Sequence, residues 1–105
     1  LHIALAYPNF IHQVLSQSGA FLTKTAKEIK QQSTLASLRV YLSVGLSETA
    51  VPTHKGTMDL LKRNREIYQL LKTKQAQICY VEKAGDHTWG LWQNDLPDAL
   101  RYFFR

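Results

Sequence analysis

One cysteine, one methionine, three prolines and five glycines are all that this 105-residue chain holds of those types. A lone cysteine, Cys79, cannot form an internal disulfide. Its place in the apolar run Ile78-Cys79-Tyr80-Val81 predicts a buried, inert thiol. There is no internal repeat, low-complexity tract or linker-like stretch, and so no visible domain boundary. No window approaches the roughly 18 apolar residues of a transmembrane helix. Acidic residues are outnumbered eight to thirteen by Lys and Arg, leaving a net charge of +5. The excess sits in two helix-like stretches, Lys24/Lys27/Lys30 and Lys62/Arg63/Arg65/Lys72/Lys74, which predicts solvated helix faces. Without interleaved aromatics or a known motif they do not make a nucleic-acid surface, though they favour anionic small ligands by long-range steering. Phosphate-binding loops, G-x-G-x-x-G and zinc-type Cys/His spacing are all missing, so no cofactor or metal is expected. His54 has no Cys or Asp partner at ligand spacing, and His2 and His12 read as helix and loop residues.

What is present is an ordinary globular composition, 45% apolar, with a clear alternation of elements. Leu1 to Tyr7 reads as the last turns of a helix stopped by Pro8-Asn9, and Val14-Leu15 as a short strand. Ala20 to Gln32 carries a helical stripe of Leu22, Ala26 and Ile29. Leu38 to Val44 is a strand closed by Gly45, followed by a loop from Leu46 to Lys55. Leu60/Leu61, Asn64, Ile67/Tyr68 and Leu71 mark a helix over Thr57–Lys72. After the Ile78–Lys83 strand, a last helix is expected from Asn94-Asp95. Asp95 would be its N-cap, Pro97 would lie in its first turn, and Leu96, Ala99/Leu100 and Phe103 would form its inner face. The order α-β-α-β-α-β-α predicts an α/β fold with three parallel strands covered on both faces. A three-stranded sheet is small. The opening Leu1-His2-Ile3-Ala4 has neither Met nor a signal-peptide pattern and resembles mid-helix, so a piece of a larger cytoplasmic domain is expected.

Two of these strands end in glycine with a chemically useful group just beyond: Gly45-Leu46-Ser47-Glu48 and Gly85-Asp86-His87. Parallel strands place both loops on one edge, where open α/β sheets carry their chemistry. A carboxylate that orients an imidazole is the acid–base half of a nucleophilic triad. For the nucleophile, Ser16 and Ser18 fit poorly. Around Ser18 the sequence is S-Q-S-G-A, where a nucleophile elbow needs G-x-S-x-G, so these hydroxyls are expected to cap a turn or line a cleft.

The run Tyr7-Pro8-Asn9-Phe10-Ile11-His12-Gln13-Val14-Leu15-Ser16-Gln17-Ser18-Gly19 and the stretch Leu42 to Glu48 carry a family likeness. So do Asn64 with Tyr68 and Leu71, and the G-x-H turn at His87 with Trp92 downstream. In this order they resemble the enterochelin (siderophore) esterases, a branch of the α/β-hydrolases that includes the wider esterase D-like group. The resemblance spans nearly the whole chain and implies the C-terminal part of one catalytic domain that hydrolyses the esters of a ferric catecholate siderophore. It makes His87 the general base and Glu48 the acid, with Asp86 as a second carboxylate beside the histidine. Adjacent residues orient each other poorly, which favours Glu48 over Asp86. The nucleophile serine and the oxyanion loop would lie upstream of Leu1, so the chain alone should be inactive and short of a packing partner. Trp89 and Trp92 are candidates for stacking on catechol rings, with core packing the competing role for Trp92. Feruloyl, acetyl or S-acyl substrates are alternatives within the same chemistry. A non-catalytic module binding a partner through an open sheet edge is the alternative outside it.

Overall fold

A computed structural model describes residues 1–7, 11–21, 23–53, 56–85 and 89–104, the side chains of residues 2, 3, 23 and 89 excepted. The elements are α1 (His2–Ala6), β1 (Gln13–Gln17), α2 (Thr23–Gln31), β2 (Arg39–Gly45), β3 (Val51–Thr53), β4 (Gly56–Met58), α3 (Leu60–Thr73), β5 (Gln77–Lys83) and α4 (Trp89–Phe104). Three strands form a parallel sheet in the order β1-β2-β5, as the alternation of strands and helices predicts. β2 is its centre and is buried almost throughout.

Successive residues of a strand point to opposite faces, and β2 uses the two faces differently. Val40 and Leu42 enter an apolar cluster with Ala4, Leu5, Ile29, Leu35, Leu38, Ile67 and Leu71. Val44 joins Val51, Leu60 and Leu61 in a second cluster. Of the stripe expected on α3, Leu60, Leu61, Asn64, Ile67 and Leu71 are buried and Tyr68 is half-buried. Asp59 caps this helix by accepting from the Lys62 amide at 3.0 Å. Tyr41 and Ser43 project from the opposite face of β2 and meet α4 through Asp95.

Several local expectations are corrected. Within the expected 46–55 loop, Val51–Thr53 pairs antiparallel with Gly56–Met58, and the Thr53 hydroxyl donates to the Gly56 carbonyl at 2.6 Å. This hairpin takes up Thr57 and Met58, so α3 starts at Leu60. The last helix begins at Trp89, about a turn and a half before Asp95, which is therefore no N-cap. Pro97 lies inside that helix, where it removes the amide that would bond the Gln93 carbonyl. The inner face is rotated accordingly: Asp95 and Ala99 are buried, whereas Leu96 and Leu100 are exposed. Cys79 is only half-buried and lines a groove of about 520 Å³ with Tyr41, Val81, Asp98, Arg101 and Tyr102. No described helix is long and apolar enough to cross a membrane.

Candidate active site

The loops that leave β2 and β5 are joined backbone to backbone. Leu46 N–H donates to the Lys83 carbonyl at 2.8 Å, and Ser47 N–H donates to the Gly85 carbonyl at 2.9 Å. Gly45 makes this approach possible, because a Cβ there would collide with the Gly85 carbonyl group and press on Leu91. Gly85 itself takes a φ of +142°, a conformation essentially reserved for glycine. The two strand-end glycines therefore seat one loop on the other.

Glu48 sits at the end of the first loop and is fully buried. Its amide donates to the Gly45 carbonyl at 3.1 Å, and its own carbonyl accepts from Leu61 N–H at 3.0 Å, tying the loop to the start of α3. Its carboxylate accepts at Oε2 from the Gly45 amide at 2.6 Å and from the Ser18 hydroxyl at 2.7 Å. His87 follows Gly85 by two residues; it and Asp86 lie outside the described residues, as does the side chain of Trp89. His54 also lies outside them.

The indole N–H of Trp92, on α4, donates to Ser18 Oγ at 2.8 Å. Ser18 is buried, and its hydroxyl bonds Glu48 and Trp92, both distant in sequence, where a cap on its own turn or a cleft lining was expected. Ser16 is half-buried at the end of β1.

Sequence reasoning missed Asp95. This carboxylate is 1% exposed and bonded to all three strands of the sheet. Oδ2 accepts from Gln17 Nε2 of β1 at 3.0 Å and from the Ser43 hydroxyl of β2 at 2.6 Å. Oδ1 accepts from the Tyr41 hydroxyl of β2 and pairs with Lys83 Nζ of β5 at 2.9 Å. Burial pushes the Asp95 carboxyl up, but the bonds from Ser43, Tyr41, Gln17 and Lys83 together outweigh it and hold it below the usual carboxylate range. Burial also pushes the Tyr41 phenol well above its ordinary value, with the bond to Asp95 adding to it. Burial acts to lower Lys83, and its bonds to Asp98 and Asp95 reverse that and raise it. Four donors use the roughly four lone-pair positions of a carboxylate, so Asp95 is committed to docking α4. The only signal for it in the sequence is an acidic residue at a core-facing helical position, which a nearby proline disguises as a helix start.

Among the described residues no cluster of His, Cys, Asp and Glu has the makings of a metal site. No solved structure matches the chain. It is 33% identical over 102 residues to the "Uncharacterized protein YjcH" of Bacillus subtilis (strain 168). That alignment covers 96% of this chain and 42% of the relative, so the chain spans well under half the length of the curated relative it matches. Residues 1–103 match the family described as "Putative esterase". A match of that extent, on a parallel α/β sheet with its two glycine-ended loops laid together, makes the chain a member of this esterase family.

Proposed function

We propose that these residues form the acid-and-base part of a carboxylic-ester hydrolase. A serine from the part of the domain upstream attacks the ester carbonyl. His87 takes the serine proton and later passes it to the leaving alcohol, and Glu48 holds the imidazolium that forms between those steps. Backbone donors in the same upstream part stabilise the tetrahedral oxyanion. The observation that carries this reading is the burial of Glu48 on a loop hydrogen-bonded to the one that leads into His87. A carboxylate on this loop is the group that orienting an imidazole and holding its cation requires.

The substrate class follows the resemblance to the siderophore esterases: a catecholate triester, ferric or iron-free. The net charge of +5 favours such an anionic ligand, and Trp89 and Trp92 are the aromatic residues proposed to stack on its rings. The test uses the full-length protein on ferric and iron-free catecholate triesters, with feruloyl, acetyl and S-acyl esters and p-nitrophenyl butyrate beside them. Catecholate triesters should give the highest kcat/KM, and His87→Ala should lower it by about three orders of magnitude or more on every ester. Full activity of His87→Ala would remove the histidine from the mechanism. A preference for another acyl group would leave the hydrolase and replace its substrate.

A further inference from the structure

Ser18 is held from every side. Its backbone has a φ of +56°, a left-handed conformation that costs a non-glycine residue about 1 kcal/mol or more. Its amide donates to the Ser43 carbonyl of β2 at 2.8 Å. The next carbonyl, that of Gly19, accepts from Asn64 Nδ2 of α3 at 2.9 Å, and Asn64 is itself fully buried. From α4 comes the Trp92 indole, on a stretch of helix fixed by Asp95 one turn later and by Gln17 Nε2 donating to the Trp92 carbonyl at 3.1 Å.

The direction of the hydrogen bonds in this chain is not a matter of choice. An indole N–H only donates, so Ser18 Oγ must accept from Trp92. The single Ser18 proton is then left for Glu48 Oε2, the acceptor that the proposed triad role requires. The Gly45 amide reaches the same oxygen. Two donors fixed by different elements thus converge on one oxygen of the carboxyl group.

Resting on the proposed triad, we infer that Ser18, oriented by the Trp92 indole, is a positioning residue that holds the Glu48 carboxylate in the orientation the His87 imidazole requires. Ser18 acts through Glu48 and touches no reacting atom. A bond from a neutral hydroxyl to a charged acceptor is worth about ten- to a hundredfold in a rate that depends on it. The effect belongs in kcat, because the orientation of the acid matters to the imidazolium formed in the transition state and not to substrate binding.

A double-mutant cycle in the full-length protein, with p-nitrophenyl butyrate as substrate, tests this. Ser18→Ala should lower kcat about tenfold or more with KM unchanged, and should cause no further loss when added to Glu48→Gln. Trp92→Phe, which keeps the ring and loses the N–H, should act in the same direction and vanish in the same background. It carries the cycle if Ser18→Ala does not fold. Unchanged kcat in a folded Ser18→Ala or Trp92→Phe would overturn the inference. So would losses that multiply fully with Glu48→Gln, since that marks a general structural effect. His87→Ala in parallel separates the two levels: if it is inactive while the cycle is additive, the triad stands and the positioning role falls. If it is fully active, both fall.

Discussion

The two faces of the sheet are stabilised by different physics. On one, Val40 and Leu42 meet Ile29, Ile67 and Leu71 in a wholly apolar cluster, where the favourable term scales with area removed from water. On the other, a single carboxylate, Asp95, gathers Gln17, Tyr41, Ser43 and Lys83 from three strands onto α4. An apolar cluster tolerates many side chains of similar volume. A buried polar centre tolerates little, because each group left without its partner bears a desolvation cost. The polar face also carries Trp92 and, through Ser18, reaches Glu48. Its stricter geometry therefore lies on the side where the candidate site needs it.

That contrast can be broken most decisively by comparing Asp95→Ala with Leu42→Ala in urea unfolding of the folded protein. Asp95→Ala strands the Tyr41 and Ser43 hydroxyls and takes one of two partners from Lys83, which keeps Asp98, and from Gln17 Nε2, which keeps the Trp92 carbonyl; it should cost about 3–5 kcal/mol. Leu42→Ala leaves a cavity at a cost of about 3 kcal/mol. A smaller loss for Asp95→Ala than for Leu42→Ala would show that the polar centre is not what docks α4. Tyr41→Phe removes one bond to the charged group and should cost about 1.5–3 kcal/mol by the same measurement. It should be milder than Asp95→Ala because the other three donors remain.

Acid gives a subtler test. The carboxyl of Asp95 titrates below its ordinary value in the folded protein. Its contribution to stability is therefore complete above the unfolded value of about 3.9 and is lost as pH falls through the lower folded value. The unfolding midpoint of the wild type should drop below about pH 4, and Asp95→Asn should show a shallower drop. Equal slopes would mean that Asp95 is not ionised in the fold. The smallest effect is expected at the surface. There the Arg65 guanidinium grips Glu82 at 2.6 and 2.9 Å and, with the Tyr80 hydroxyl, holds its carboxyl down at about 2. Arg65→Gln should return Glu82 toward the ordinary range in an NMR titration with no measurable change in the unfolding midpoint, since exposed ion pairs are screened by solvent.

The same contrast explains what could be read from the residues alone. The apolar face was legible because burial imposes a period: the α3 stripe from Leu60 to Leu71 and the β2 run from Val40 to Val44 are both visible as patterns. The polar face left no period. Asp95 and Pro97 resemble the opening of a helix, whereas Asp95 is a buried residue inside a helix that begins at Trp89, held there by its bonds to three strands. The β3–β4 hairpin escaped notice because its strands are three residues long and one contains Pro52. At the site, Glu48 could be singled out by its distance from a strand-end glycine. The part played by Ser18 depends on a left-handed turn and an indole 74 residues away, which no local spacing encodes.

Because Glu48 and Asp95 are both buried carboxylates, the central claim is tested most directly by weighing one against the other in catalysis. In the full-length protein, kcat/KM on p-nitrophenyl butyrate should fall about a thousandfold or more in Glu48→Ala. In Asp95→Asn, measured under conditions where the variant is folded, it should stay within about tenfold of wild type. A Glu48→Ala variant as active as wild type, or a folded Asp95→Asn variant as impaired as Glu48→Ala, would contradict the assignment of Glu48 as the acid.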